Sequence, residues 1–137
     1  MNPLNHLPRV AAAIILLQTL YFKFSAAPES VYIFSALGME PWGRIGSGVA
    51  ELVAALALLT IRWSWLGAAL AIGIMVGAIG AHLTVLGIVV QEDGGTLFIL
   101  AMSVLLLSTF VLVRSRKIAT AQLRQWIGGS IDVKSTH

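Results

Sequence analysis

Four long apolar stretches, separated by short polar connections, dominate the sequence of this 137-residue chain. They lie at about residues 7–24, 44–61, 66–90 and 96–113. Each approaches the roughly 20 residues with which an α-helix crosses a hydrocarbon layer about 30 Å thick. Because the connection Arg62–Trp65 is so short, the second and third stretches must be antiparallel neighbours. The pattern therefore predicts an all-α integral membrane protein, an antiparallel four-helix bundle that forms a single transmembrane domain at residues 1–128.

Two further helices are predicted outside the four spans. Pro28, Glu29 and Gly38 mark the start and end of a segment of about ten residues, which is too short to cross a membrane. We expect a short interfacial helix there, on the extracytoplasmic side at the mouth of the bundle. After the fourth span, basic and apolar residues recur at helical spacing, which predicts a basic amphipathic helix at about residues 115–128 on an anionic leaflet. Residues 129–137 are expected to form a disordered tail.

Composition supports the membrane assignment and limits the possible functions. Hydrophobic residues make up 58% of the chain and charged residues only 11%, which is outside the range of soluble globular proteins. The chain has no cysteine, so it can form neither a disulfide nor a thiolate metal site. The formal net charge of +3 comes from basic residues at the ends of the apolar stretches, which is a topology signal and not a nucleic-acid-binding patch.

The basic residues are distributed unequally between the two sides of the predicted bundle. The side that carries both termini holds Arg9, Arg62, Arg114, Arg116, Lys117, Arg124 and Lys134. The opposite side holds Lys23 and Arg44. By the positive-inside rule, we expect a multi-pass protein of the inner (plasma) membrane with both termini in the cytoplasm. Its partner is then the lipid bilayer, and no nucleic acid is expected.

Glu51 is the residue of the spans that most requires a partner, because an ionised carboxylate in hydrocarbon costs several kcal/mol. Counting about 1.5 Å per residue from the outer helix ends places Gln18, Glu51 and His82 at similar depths, about 9 to 12 Å. We predict that Glu51 and His82 line one polar ligand-binding site, with Gln18 nearby. A carboxylate and an imidazole can share a proton there, either directly or through a bridging water or ligand. Lys23 and Arg44 lie closer to the entrance, which becomes positive if they point inward. In the alternative interpretation, Glu51 only fixes helix packing, and Lys23 and Arg44 only extend to the headgroups.

Small residues indicate where helices are expected to approach one another closely. Gly46 and Gly48 lie beside Glu51 in the second span, and Gly73 with Gly77 forms a G-x-x-x-G spacing in the third. Without a side chain, each of these positions allows a neighbouring helix to come close. The sequence therefore predicts helix contacts at both places.

Four short motifs carry a resemblance to a known family. They are Tyr21–Phe24 at the end of the first span, the segment through Ala36–Gly38, the pair Glu51–Leu52, and Gly77–His82 in the third span. With these motifs the sequence resembles the DoxX and DoxX-like superfamily of small membrane proteins, over residues 7 to about 117. The resemblance implies a four-helix bundle associated with a redox system, since members include a thiosulfate:quinone oxidoreductase and a component of an oxidative-stress complex.

The resemblance and Glu51 together lead us to expect a redox-associated protein. It would hold a quinone-like or other amphipathic small molecule in an intramembrane polar site, or serve as the membrane subunit of an oxidoreductase partner. The resemblance is what suggests quinone as the cofactor. No flavin, haem or nucleotide motif is present and no metal site is expected, so in any redox chemistry the electron carrier must be a bound small molecule or a partner. Whether the chain is itself an enzyme, and which residues are then catalytic, stays open. Two other functions also stay open: a small proton-coupled exporter, and a membrane assembly factor or chaperone without catalysis.

Overall fold

The computed structural model describes residues 6–135 of the chain, and all of its regular structure within that range is helical. The α-helices are α1 (His6–Phe24), α2 (Pro28–Ala36), α3 (Trp42–Leu59), α4 (Ser64–Ala81) and α5 (Thr96–Ser135). A 3₁₀ turn, Ile61–Trp63, joins α3 to α4, and a π turn, His82–Leu86, follows α4. Residues 1–5 of the predicted domain and residues 136–137 of the predicted tail lie outside the described range.

Four helical segments are long and apolar enough to cross a membrane. They are His6–Phe24, Trp42–Leu59, Ile61–Leu86 and Thr96–Gly129. By length and composition, the chain is therefore a multi-pass membrane protein, and the prediction of an all-helical chain with four such helices is confirmed. The third of these segments ends earlier than predicted, at Leu86 and not near Val90, because Gly87 has a φ of 77° that ends the helix.

The segment between the first two long helices contains the short helix α2. Pro28 is its first residue, where the fixed φ of proline suits a helix start and no backbone N–H is needed. The chain leaves the helix at Gly38, which has a φ of 69°. Ser30 and Phe34 are buried one turn apart, so one face of α2 packs against the rest of the protein.

The fourth long helix differs most from the prediction. A separate amphipathic helix at about 115–128 and a disordered tail from 129 were expected, but α5 runs without interruption from residue 96 to 135. Residues 96–127 contain neither glycine nor proline, and a change from apolar to charged side chains does not break a helix.

The basic part of α5 packs on the connection between α3 and α4. Trp65 Nε1 donates a hydrogen bond to Gln122 Oε1 at 2.9 Å, and Gln122 Nε2 donates to the Arg62 carbonyl at 3.0 Å. The rings of Trp63 and Trp126 stack with centroids 5.9 Å apart. These contacts hold this segment to its own protein, whereas the sequence predicted a helix lying on a leaflet.

The four long helices surround a core built largely from alanine. α1 packs against α3 and α5, and α4 packs against α3 and α5. Six alanines are completely buried: Ala12, Ala13, Ala54, Ala55, Ala68 and Ala71. Leu16, Leu58 and Val104 fill the space between them. Small side chains let helix backbones approach closely, which is how helices associate where lipid offers no hydrophobic driving force.

The glycine at the closest helix contact is not one of those predicted. A Cβ atom at Gly67 of α4 would lie 2.6 Å from the Leu58 backbone nitrogen and 2.8 Å from the Ala54 carbonyl oxygen of α3. By contrast, Gly73 and Gly77 have no neighbouring atom within 4 Å of such a position. The G-x-x-x-G spacing therefore does not mark a contact between helices of this chain, because its glycines face away from them.

The two glycines beside Glu51 also differ from each other. Gly46 is open, with nothing within 4 Å of a Cβ position. At Gly48, a Cβ would lie 3.1 Å from two ring atoms of Phe24 and 3.7 Å from the Lys23 Cβ. Gly48 is therefore the position at which α3 makes room for the end of α1.

We predict that Gly67→Ala destabilises the protein while Gly73→Ala, its matched control on the same helix, does not. The added methyl of Gly67→Ala meets the backbone of α3, so the helices must separate, at a cost of about 1–3 kcal/mol. The methyl of Gly73→Ala meets nothing and slightly favours the helix. Thermal unfolding of both variants in the same detergent measures the difference, and equal melting temperatures would contradict the close contact at Gly67.

Candidate functional site

A cavity of about 460 Å³ lies among the helices near the end where α1 finishes and α5 begins. Parts of five elements form its wall: residues 15–23 of α1, 29–34 of α2, 51 of α3, 78–86 at the end of α4, and 90–104 in the last loop and α5. Most of the lining side chains are apolar. The polar and charged ones belong to different elements that only the folded chain brings together.

Glu51 is the most buried ionisable group of the cavity, with 3% of its surface exposed. Lys23 Nζ on α1 forms an ion pair with Glu51 Oε1, and the Thr19 hydroxyl donates a hydrogen bond to Oε2 at 2.9 Å. Thr19 and Lys23 are four residues apart and thus lie on one face of α1, directed at α3. Both carboxylate oxygens therefore have partners, which satisfies the requirement that makes Glu51 conspicuous in the sequence.

Lys23 points into the protein and not toward the headgroups. Its side chain is only 16% exposed, and its ammonium lies 5.7 Å from the ring centroid of Phe34 on α2. An aromatic face attracts a cation electrostatically, so α2 contributes to holding the ammonium beside the carboxylate. The short helix thus adds an aromatic contact to the ion pair between α1 and α3.

Arg44 also points inward but does not line the cavity. Its Nε and Nη2 lie 2.9 Å from Glu40 Oε1, and its Nη1 donates to the backbone carbonyl of Lys23. Arg44 therefore ties the start of α3 to the end of α1 at Lys23. Each cation near the entrance has a carboxylate partner, so the entrance does not carry the excess positive charge that the sequence suggested.

His82 lines the same cavity from the end of α4 and is buried. Its Nδ1 donates a hydrogen bond to the Gly87 carbonyl at 2.8 Å, and its ring meets the Phe98 ring edge to face at 5.7 Å. With the proton on Nδ1, the neutral ring leaves Nε2 as an acceptor. Among the described residues no direct hydrogen bond joins His82 to Glu51, and each side chain has its own partners on the wall of the shared cavity.

Of the five residues predicted for the site, four surround the cavity: Gln18, Lys23, Glu51 and His82. Gln18 is an exposed member of this lining, on the turn of α1 next to Thr19. Thr19 itself was not predicted, although its spacing of four residues before Lys23 is the signal that could have identified it.

Asp93 is a second lining residue that the sequence analysis missed. Its Oδ1 accepts hydrogen bonds from the backbone N–H groups of Val90 and Gly95 at 3.0 and 2.8 Å, and its Oδ2 accepts one from Leu97 at 3.1 Å. Burial alone would raise the pKa of Asp93, but the three backbone donors and, in its protonated form, the nearby imidazole of His82 outweigh it and hold the pKa below its usual value. An aspartate just before an apolar run is a typical helix cap, which is the signal that could have identified it.

The cavity combines two kinds of surface that a single small molecule can use. One part presents the Lys23–Glu51 pair, the Thr19 hydroxyl and the His82 imidazole, which offer hydrogen-bond donors and acceptors. The other polar lining residues are Gln18, Glu29, Ser30, Asp93 and Thr96, and the apolar part of the wall continues along α5 to Val104. No cluster of three or more metal-ligating carboxylates and imidazoles occurs within residues 6–129. The arrangement suits a molecule with a small polar head and an apolar body.

We predict that replacing either member of the Lys23–Glu51 pair destabilises the protein more than replacing both. Lys23→Met or Glu51→Leu leaves one buried charge without its counter-charge, at a cost of about 3–5 kcal/mol. The double variant leaves no unpaired charge. Unfolding free energies in mild detergent, arranged as a double-mutant cycle, measure the coupling.

The control for this cycle is Glu92→Leu, which removes a carboxylate from the exposed loop before α5. We expect it to change stability by less than about 0.5 kcal/mol. If the double variant lost the full sum of the two single losses, the two side chains would be energetically independent.

Comparison with known proteins provides no template for this site. No protein-family model, no curated protein and no solved structure matches the chain. The function of the cavity therefore rests on the geometry of its own side chains.

Proposed function

We propose that this chain is a DoxX-like, redox-associated membrane protein that binds a quinone-like or similar amphipathic molecule in the cavity around Glu51. The observation that carries the proposal is the ion pair between the part-buried Lys23 and the buried Glu51, on the wall of a cavity lined mostly by apolar side chains. A volume of about 460 Å³ falls within the roughly 300–1,000 Å³ that small-molecule sites occupy.

The polar groups of the cavity match the two redox forms of a quinone. A quinone carbonyl accepts hydrogen bonds, and the ammonium of Lys23 has donors beyond the one that it gives to Glu51. A quinol hydroxyl donates, and the carboxylate of Glu51 and Nε2 of His82 are acceptors. The apolar wall formed by Leu97, Leu100 and Val104 supports the proposal by offering a surface for the tail of such a molecule.

In the proposed role the chain binds the quinone and handles protons, and an oxidoreductase partner supplies the electrons. The proposal thus treats the chain as a membrane subunit with Lys23, Glu51 and His82 as ligand-binding residues. Gln18 lies at the exposed edge of the cavity, and Arg44 positions Lys23 through its backbone carbonyl.

The proposal includes an antiparallel four-helix bundle in the inner (plasma) membrane with cytoplasmic termini. Support comes from the charges: the connection between α3 and α4 and the segment of α5 that packs on it carry a cluster of basic residues. The opposite end carries Glu29, Glu40, Glu92 and Asp93. The positive-inside rule assigns the basic end to the cytoplasm, so α2 is the interfacial helix on the outer face.

We predict that the wild-type protein binds decyl-benzoquinone and that Glu51→Gln weakens this binding at least about tenfold. The substitution removes a charge that organises Lys23, and a charge-assisted hydrogen bond contributes about 1.5–3 kcal/mol. Isothermal titration calorimetry on the full chain in detergent measures the affinity. The matched control is Glu40→Gln, which also removes a carboxylate paired to a cation but does not line the cavity, and should change the affinity less than about twofold.

A second variant tests the cavity without disturbing the ion pair. Ala78→Leu adds bulk to the apolar wall and should also weaken binding of the probe. Failure of the wild-type protein to bind the quinone saturably, or equal affinities for wild type and Ala78→Leu, would overturn the proposal. Glu51-dependent proton-coupled flux of a cationic drug into vesicles would instead establish the exporter.

We predict that Glu92 and Gly128 lie on opposite sides of the membrane, with Gly128 in the cytoplasm. The chain has no cysteine, so Glu92→Cys and Gly128→Cys each introduce a single thiol at an exposed position. An impermeant thiol reagent added to intact cells should label Glu92→Cys and label Gly128→Cys only after lysis. The reverse pattern would invert the proposed orientation.

A further inference from the structure

A second cavity lies at the end of the protein opposite α2, where α1 begins and the connection between α3 and α4 meets α5. Its volume is about 70 Å³. Arg9 lines it from α1, Ser64 from the start of α4, and Arg114 and Ser115 from α5. The hydroxyl oxygens of Ser64 and Ser115 are 3.4 Å apart across this junction. This site shares no residue with the cavity around Glu51.

Arg9 is the central group of the second cavity, and it is only 8% exposed. Its Nη2 donates a hydrogen bond to His6 Nδ1 at 3.0 Å, and its Nε is buried without a hydrogen-bond partner. A guanidinium remains charged under all ordinary conditions. The one partner that the described residues give this buried cation is therefore neutral.

Within residues 6–129, no carboxylate lies at this end of the protein to balance the charge of Arg9. The acidic side chains within residues 6–129 are Glu29, Glu40, Glu51, Glu92 and Asp93. All of them belong to the Glu51 cavity or to the end where α2 lies. A buried cation without an opposing charge is costly, and none of the carboxylates within residues 6–129 supplies that charge, so an anion is expected to accompany Arg9.

We infer that the second cavity binds the phosphate group of an anionic membrane lipid. One water molecule needs about 10–15 Å³ of cavity volume, so a cavity of about 70 Å³ has room for roughly five waters. A phosphate group has five heavy atoms and is therefore of a matching size. Arg9 supplies the charge, and the serine hydroxyls can donate hydrogen bonds to phosphate oxygens.

The remaining lining residues favour a lipid over a free ion. Phe110 and Ile118 line the cavity, and both are exposed apolar side chains on the same surface. Arg9 is three residues from the start of α1, which places the cavity near the boundary between hydrocarbon and headgroups. An acyl chain can lie against these apolar side chains while its phosphate occupies the cavity.

The test uses native mass spectrometry on the full-length protein in detergent, with phosphatidylglycerol as the probe. Wild-type protein should bind a first phosphatidylglycerol at least about tenfold more tightly than phosphatidylcholine, whose headgroup carries a compensating cation. Ile118→Glu places a carboxylate at an exposed position of the cavity wall and should weaken that first binding event at least about tenfold.

The matched control is Ile127→Glu, which makes the same change of charge on the same helix at an exposed position away from the cavity. It should weaken binding by less than about twofold. Equal losses in Ile118→Glu and Ile127→Glu, or equal affinities for the two lipids, would mean attraction to the basic surface in general and would overturn the site.

Two further measurements identify the source of the phosphate and the role of Arg9. A millimolar excess of inorganic phosphate should leave the bound lipid in place, and displacement would show that the site takes the free ion. Arg9→Gln should lose the preference for phosphatidylglycerol, and Arg9→Lys, which keeps the charge, should retain part of it. Retention of the full preference by Arg9→Gln would overturn the assignment.

Discussion

The ion pair between Lys23 and Glu51 is the interaction on which the site depends. A carboxylate at this position of α3 cannot remain charged in an apolar surrounding without a partner, and Lys23 is the cation that reaches it. Several neighbouring features follow from this requirement. Thr19 satisfies the second oxygen, Phe34 covers the ammonium, and Arg44 holds the Lys23 carbonyl. The cavity exists because these groups hold α1, α2 and α3 around a small polar centre.

The sequence predicted the helices well, because a membrane imposes a simple requirement on length and hydrophobicity. It also indicated that Glu51 needs a partner, but it named His82 where the structure has Lys23. The depth of a residue along the helix backbone does not show how far its side chain extends. The four-carbon stem of lysine lets the ammonium of Lys23, at the end of α1, reach a carboxylate that lies further inside. The hydrogen bonds of His82 and Asp93 depend on the conformation of the loop that begins at Gly87, and the pattern of apolar residues does not predict that conformation.

Helix contacts were predicted less well than helices. The close approach at Gly67 follows from the tight turn between α3 and α4, which forces those backbones together next to the turn. Glycine spacing alone pointed to Gly73 and Gly77, which face away from the other helices. The break expected near residue 114 was also wrong, because charge changes the surroundings of a helix and not its hydrogen bonds.

Because α5 is uninterrupted, one continuous helix contributes to two distant surfaces of the protein. At about 1.5 Å per residue, its 40 residues extend roughly 60 Å, about twice the thickness of the hydrocarbon layer. One end is capped by Asp93 beside the Glu51 cavity, and the other carries the basic segment beyond Ser115. The helix therefore joins the wall of the Glu51 cavity directly to the basic segment that packs on the connection between α3 and α4, and no loop lies between these two parts.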